Sequence, residues 1–111
     1  NNKYIKVFYY ENVYNQNYSY FPIILNLPIN RTKVLKYLED FGIFAKTYFS
    51  PLITEILEMK KCKTITVKNI RNSIDISMKI LCLPISSNMT FKEAKYVTSI
   101  LLKAIKEFEN D

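Results

Sequence analysis

Apolar residues fall into short runs separated by polar stretches, and the spacing inside each run predicts its secondary structure. Strands are predicted for residues 4–10, 18–27 and 80–85, where β-branched and aromatic residues follow one another without a helical period. A shorter run at 43–47 is predicted to be a fourth strand. The run at 18–27 is almost entirely apolar, which is typical of an interior strand covered on both faces, with Pro22 near its start or on an unpaired side.

Two helices have clear boundary signals. Asn30 is a good N-cap, and its helix is predicted to end at Gly42, because the only glycine of the chain suits a C′ position with positive φ. Thr90 and Glu93 match a capping box at the start of the last helix. Apolar side chains then recur at helical spacing: Val34, Leu35, Leu38 and Phe41 in the first helix, and Ala94, Val97, Leu101, Ala104 and Phe108 in the second.

Shorter helices are predicted between the strands. Residues 52–59 have room for one or two helical turns, and Ser73 is predicted to cap a helix through Lys79 with Asp75 in its first turn. Strands that alternate with helices favour a two-layer α/β (α+β) sandwich. We therefore expect a small mixed or antiparallel sheet of three to four strands with helices packed on one face, around a single core that 111 residues suffice to build.

The chain is basic, with 16 Lys and Arg against 10 Asp and Glu and a formal net charge of +6. Such a field attracts anions but identifies no site. A solvated basic surface explains it better than a nucleic-acid patch, since no aromatic signature of an RNA-binding sheet accompanies the lysines. An independent binding module for an anionic ligand or nucleic acid stays open as the alternative function. The densest basic group flanks a predicted loop: Lys60, Lys61, Lys63, Lys68 and Arg71.

Two cysteines are too few to staple a domain of this size, so a reduced, cytoplasmic setting is the default expectation. Cys82 lies inside an apolar run and is predicted to be a small core residue. Cys62 lies between lysines, but the chain has no histidine to act as its base. No apolar run approaches the ~18 residues of a membrane span and no signal-peptide pattern is present, so we expect a soluble protein without a membrane partner.

Missing residue types exclude several reaction classes. The absence of histidine removes Ser-His-Asp and Cys-His catalysis and histidine-containing zinc sites. A single glycine removes the phosphate-binding loops of the dinucleotide and P-loop types. Four carboxylates are acid–base candidates by residue type, but solvated helix charges explain them better. They are Glu39, Asp40, Glu55 and Glu58.

Six short segments stand out by their order and spacing. They are Tyr20-Phe21-Pro22-Ile23; Arg31 with Leu35, Leu38 and Gly42-Ile43; Tyr48-Phe49 with Pro51-Leu52; Ile76-Ser77; Leu81-Cys82-Leu83-Pro84; and Thr90 with Glu93. Together they resemble the C-terminal small domain of the DegT/DnrJ/EryC1/StrS family of sugar aminotransferases, from about residue 18 to residue 108. The resemblance implies that residues 1–17 are an N-terminal strand and connector from a missing large domain, and that residues 18–111 are the small domain.

The resemblance implies a parent enzyme that transfers an amino group from glutamate to a nucleotide-linked keto sugar, in surface polysaccharide or deoxysugar biosynthesis. Such enzymes are homodimers, use pyridoxal phosphate, and hold it on a lysine in a Ser-x-x-Lys element of the large domain. No serine of this chain is followed three residues later by lysine. We therefore expect no catalytic, cofactor-binding or metal-binding residue here, pyridoxal phosphate only in the parent enzyme, and no transamination by the chain alone.

The resemblance places residues 45–50 at the substrate entrance, so the substrate-binding candidates are Lys46, Tyr48, Phe49 and Arg31. Many relatives have Arg where Lys46 stands, and a Lys ammonium cannot form the paired, planar bonds that Arg forms with a carboxylate or phosphate. Packing on the sheet explains Tyr48 and Phe49 equally well. Arg31 opens a helix, where a cation is unfavourable, so it needs a partner, and a structural salt bridge is favoured over a ligand phosphate.

Overall fold

The computed structural model describes residues 2–8, 18–61 and 70–110 of the chain. They contain a three-stranded antiparallel sheet in the order β1 (Ile5–Val7), β2 (Phe21–Leu25) and β3 (Ile80–Leu83). The predicted strands are confirmed within shorter limits. β1 pairs along β2 in the same sheet, while residue 17, at the predicted domain boundary, lies outside the described residues.

The predicted fourth strand at 43–47 is wrong. Within the described ranges, this segment joins the sheet at a single antiparallel bridge, between Lys46 and Cys82 on the outer edge of β3. Ile43 and Ala45 are instead buried in the hydrophobic core. Their apolar character therefore reflects burial of an irregular segment, which has the same sequence signal as a short buried strand.

Pro22 is tolerated in the middle strand because of how its neighbours pair. Cys82 exchanges both of its backbone hydrogen bonds with Lys46, with N···O distances of 2.9 and 2.7 Å. Pro22 therefore faces Cys82 as a non-hydrogen-bonded pair, and its nitrogen points to the β1 side. The pairing of β1 ends at Val7 with Ile23, one residue short of Pro22, so the missing N–H removes no bond from the ladder.

The two long helices begin and end as the sequence predicts. α1 (Arg31–Asp40) is capped by the Asn30 side chain, which accepts hydrogen bonds from the amides of Thr32 and Lys33 at 2.9 and 3.2 Å. The chain leaves α1 through Gly42, whose φ of +73° favours glycine. α4 (Phe91–Phe108) begins with the predicted capping box.

The helices between β2 and β3 are only partly as predicted. A 3₁₀ turn (Ile53–Glu55) and α2 (Leu57–Lys60) confirm the expected helical turns at 52–59. α3 (Arg71–Lys79) begins three residues before the prediction, so Ser73 lies inside the helix and the N-cap is Ile70, which makes no side-chain cap bond. Asp75 forms an i,i+4 ion pair with Lys79, with an O···N distance of 2.6 Å.

α1 and α4 cover one face of the sheet, as the predicted two-layer sandwich requires. The core side chains are 0–9% exposed. They come from the sheet (Ile23, Leu25, Leu81), from α1 (Val34, Leu38) and from α4 (Val97, Ile100, Leu101, Ala104, Ile105), together with Ile29, Ile43 and Ala45. Ile24 and Cys82 alternate to the opposite face, called here the second sheet face, and both are buried there. Burial of Cys82 confirms that it is a core residue.

The capping box of α4 makes the stability of the fold depend on pH. A Glu93 carboxylate oxygen accepts bonds from the backbone amide and the hydroxyl of Thr90, both at 2.7 Å. The backbone bond, and then the hydroxyl bond, lower the pKa of Glu93 below its usual 4.5. Because the folded-state pKa is lowered, this stabilisation is present above pH 4.5 and is lost as the pH falls through the folded value.

We expect Glu93→Gln to lower the free energy of unfolding at neutral pH, with a difference from the original chain that disappears below pH 4.5. Thr90→Ala should cost about 1 kcal/mol at neutral pH, since it removes the acceptor for the Glu93 amide. Urea unfolding between neutral and acidic pH measures both effects. Glu107→Gln, an exposed change on the same helix, is the control, and an equal pH dependence in the two Glu variants would contradict the prediction.

Candidate functional site

Residues 46–49 follow the outer edge of β3 beside Cys82. Lys46 pairs directly with Cys82, so the two side chains leave the same face. The backbone amide of Tyr48 donates a hydrogen bond to the Cys82 thiol. Burial raises the pKa of this thiol, and the Tyr48 bond opposes the rise only in part. Three of the four predicted substrate-binding residues therefore lie together, on the face opposite α1 and α4.

Three aromatic rings meet at this end of the sheet, and we call Tyr20, Tyr48 and Phe49 the aromatic cluster. The Tyr20 ring centroid is 5.4 Å from that of Tyr48 and 6.0 Å from that of Phe49, with interplanar angles of 75° and 72°. Tyr48 and Phe49 are 5.6 Å apart and inclined by 33°. The side chains stay 50%, 41% and 69% exposed, in the order Tyr20, Tyr48, Phe49. Sequence reasoning missed Tyr20, because nothing local to residue 20 shows that residues 48 and 49 lie beside it.

Lys46 adds a positive charge beside the aromatic cluster. Its backbone is fixed by the two hydrogen bonds to Cys82, and its side chain is exposed. Lys6 lies on the same sheet face, since it pairs with Ile24, and it is also exposed. The second sheet face thus combines exposed aromatic surface with cationic side chains, a combination that suits a ligand with a planar ring and an anionic group.

Arg31 lies away from the aromatic cluster, at the other end of β3. Its guanidinium donates through Nη1 to the backbone carbonyl of Ser77, and to that of Ile80 at 3.4 Å. These carbonyls lie at the C-terminal end of α3, where helix carbonyls lack partners within the helix. Partial burial lowers the pKa of Arg31, which nevertheless stays charged. Among the described residues no carboxylate pairs with Arg31, so the expected salt bridge is replaced by bonds to carbonyls, and a substrate-binding role for Arg31 stays a prediction.

We expect Arg31→Met to lower the free energy of unfolding by about 1–3 kcal/mol, because two partly buried carbonyls lose a charged donor while the side-chain length is kept. Lys36→Met, an exposed change on the same helix, is the matched control and should alter stability by no more than about 0.5 kcal/mol. Urea unfolding followed by circular dichroism measures both. Equal effects of the two changes would show that the bonds to Ser77 and Ile80 contribute no stability.

A separate open groove of about 430 Å³ lies where α4 begins, beside the chain that leaves α1. Its walls are mostly apolar and include Phe44, Pro84, Met89 and Tyr96. The Tyr96 hydroxyl donates to the carbonyl of Phe41 at 3.2 Å, which satisfies one of the free carbonyls at the end of α1. No local sequence pattern predicts this groove, because its walls come from three separate segments of the chain.

The carboxylates considered for acid–base chemistry do not form a pair. Glu39, Asp40 and Glu58 are exposed helix charges. The Glu55 carboxylate accepts a hydrogen bond from the Leu52 amide at 2.8 Å and so caps the start of the 3₁₀ turn. Within the described ranges, no group of three His, Cys, Asp or Glu side chains is arranged to hold a metal ion. The helices of these ranges also fall short, in length or in apolar content, of what crossing a bilayer requires.

The sequence profile of the DegT/DnrJ/EryC1/StrS aminotransferase family matches residues 4–102. The chain is a member of this family. It is 30% identical over 87 residues to a dTDP-4-amino-4,6-dideoxy-D-glucose transaminase of Shigella dysenteriae, a match that covers 77% of this chain and 23% of the relative. It is also 30% identical over 90 residues to an Escherichia coli enzyme of the same name, with coverages of 79% and 24%. The chain thus spans about a quarter of the length of these curated relatives.

Two solved structures share the fold. One is a putative pyridoxal-phosphate-dependent aminotransferase of Bacillus cereus ATCC 10987, with a TM-score of 0.64, 22% identity, and coverage of 74% of this chain and 22% of that one. The other is Helicobacter pylori PseC, an aminotransferase of pseudoaminic acid biosynthesis, with a TM-score of 0.66, 20% identity, and coverages of 80% and 24%. These likenesses confirm the predicted fold class.

The described residues do not suit the cofactor of these aminotransferases. A lysine that forms a Schiff base is activated by desolvation or by a cationic neighbour. Every lysine whose side chain is described is exposed, except Lys79, which is half-buried and already paired with Asp75. We therefore derive no chemical step through pyridoxal phosphate in this chain.

Proposed function

We propose that this chain is the substrate-side, C-terminal small domain of a pyridoxal-phosphate-dependent sugar-nucleotide aminotransferase. In the whole enzyme, an amino group passes from glutamate to a nucleotide-linked keto sugar for polysaccharide or deoxysugar biosynthesis. The large domain supplies the cofactor and its lysine, and the enzyme works in the cytoplasm as a homodimer. Membership of the aminotransferase family, over about a quarter of its relatives' length, is the observation that carries this proposal.

The second sheet face is the surface that we propose to close over the cofactor cleft. At its edge beside β3 lie Lys46, Tyr48 and Phe49, whose side chains are exposed. α1 and α4 pack on the opposite face. On the second face Ile24 and Cys82 are buried, so the part proposed to meet another domain and a substrate is the exposed surface of Lys46, Tyr48 and Phe49. Lys46 would offer a point charge to a phosphate or carboxylate, without the paired bonds of an arginine.

The independent binding module has less support. Two features motivate it, the net charge of +6 and the lysine group around Cys62. The charge identifies no site, and residues 62–69 lie outside the described residues. Of that group, Lys61 and Arg71 have exposed side chains. Exposure is also what a solvated basic surface without a ligand predicts, so it does not favour a binding site. We therefore keep the aminotransferase domain as the proposed function.

The purified 111-residue chain tests the proposed division of labour. We expect it to acquire no stable cofactor absorbance when mixed with pyridoxal phosphate and to catalyse no amino transfer from glutamate, because each lysine whose side chain is described is exposed or, for Lys79, paired with Asp75. The E. coli relative, assayed under the same conditions, is the positive control. Stable cofactor binding or measurable transfer by the chain alone would contradict the assignment of the reactive centre to another domain.

A further inference from the structure

The aromatic cluster has a feature that packing alone does not explain. Its members remain 41–69% exposed although large aromatic rings account for much of the burial in protein cores. Phe49, the most exposed of the three, shows most of its surface to solvent. A surface of mutually oriented, accessible rings is the kind of structure on which nucleic-acid bases stack in many binding proteins.

The cluster is held together from the sheet side by Tyr20. Tyr48 and Phe49 are the two central residues of a tight turn, closed by a hydrogen bond of 2.7 Å from the Ser50 amide to the Thr47 carbonyl. Tyr20 directly precedes Phe21, the first residue of β2, and stands nearly perpendicular to both rings of the turn. A ring based on the sheet thus contacts two rings carried on a loop.

We propose that Tyr20 is a positioning residue, which holds the Tyr48 and Phe49 rings as a stacking surface for the base of a nucleotide-linked substrate. This proposal rests on the proposed function, because it takes the substrate to be a sugar nucleotide. The base contacts the exposed rings of the turn, while the phosphates lie toward Lys46 on the same sheet face. Tyr20 acts through its ring edge against Tyr48 and Phe49, so its hydroxyl is not required.

Two probes separate ring stacking from attraction to positive charge. Thymidine diphosphate carries a planar base and two phosphates, whereas inorganic pyrophosphate carries the phosphates alone. Titration of the 111-residue chain with each probe, followed through the ring-proton resonances of its tyrosines and phenylalanines, gives both affinities. The original chain is expected to bind thymidine diphosphate about tenfold more tightly than pyrophosphate, because stacking adds to the phosphate contact.

Tyr20→Ala should remove most of that tenfold preference while leaving pyrophosphate binding unchanged, and Tyr20→Phe should retain it. Phe91→Ala, which removes an exposed ring on α4, is the control and should behave as the original chain. If Tyr20→Ala does not fold, Phe49→Ala tests the stacking surface that Tyr20 is proposed to hold, because the Phe49 ring is 69% exposed and lies on the turn, and it should also remove the preference.

The proposal is overturned if the original chain shows no preference for thymidine diphosphate, or if Tyr20→Ala keeps it. Loss of the preference in Tyr20→Phe as well as in Tyr20→Ala would also overturn it, since the hydroxyl would then be the group that matters. None of these results bears on amino transfer by a whole enzyme, so failure of the stacking surface is distinguishable from failure of the proposed function.

Discussion

Leu101→Ala is expected to lower the free energy of unfolding by about 2–5 kcal/mol, among the largest effects of any single substitution in this chain. Leu101 is 4% exposed and belongs to the core between α4 and the sheet. Its truncation removes buried methyl groups and leaves a cavity that the surrounding side chains fill only in part. Urea unfolding followed by circular dichroism gives the change directly.

Leu102→Ala is the matched control, because Leu102 is the next residue of the same helix and is 44% exposed. It makes the same chemical change with the same loss of side-chain volume, and we expect it to alter stability by no more than about 0.5 kcal/mol. The contrast tests which face of α4 meets the sheet. Comparable losses from the two variants would mean that α4 is not oriented as described.

The boundaries of α1 and the start and apolar stripe of α4, which depend on neighbouring residues, were predicted correctly from the sequence. The cap at Asn30, the exit at Gly42 and the capping box at Thr90 each depend on residues within one helical turn of one another. The apolar stripe of α4 likewise follows from spacing alone, although the prediction omitted Ile100 and Ile105, which are also buried. These elements were predictable because their physical causes lie within a few residues along the chain.

The segments that were predicted wrongly lack such local causes. Residues 43–47 have strand propensity, but a strand needs a partner along its length and only Lys46 finds one among the described residues. α3 begins at a residue with no side-chain cap, so its start left no signal in the sequence. The secondary-structure propensity of the residues therefore did not determine whether 43–47 forms a strand or where α3 begins.

The candidate site depends on contacts between distant parts of the chain. The sequence placed Lys46, Tyr48 and Phe49 together only through a family resemblance, and it did not place Tyr20 beside them. It also predicted a carboxylate partner for Arg31, whereas the partners are carbonyls near the end of α3, 46 and 49 residues away. Neither arrangement follows from periodicity, because tertiary packing creates both.

The second large effect concerns amino transfer by a whole enzyme. In a chimera, this chain replaces the segment that it matches in the E. coli dTDP-4-amino-4,6-dideoxy-D-glucose transaminase, so that the large domain supplies the cofactor lysine. A truncated enzyme that lacks the segment should lose about 10²-fold or more in kcat/KM, because substrate groups misplaced by even 1 Å can slow a reaction that much. We expect the chimera to recover a measurable part of that loss.

Rates of the E. coli relative's own reaction, measured for the chimera and the truncated enzyme at equal folded concentration, test the central claim that this chain contributes a substrate-side domain to an aminotransferase. Circular dichroism and cofactor content confirm that both proteins are folded and loaded. We expect the chimera to transfer amino groups well above the rate of the truncated enzyme. A folded, cofactor-loaded chimera no faster than the truncated enzyme would contradict it.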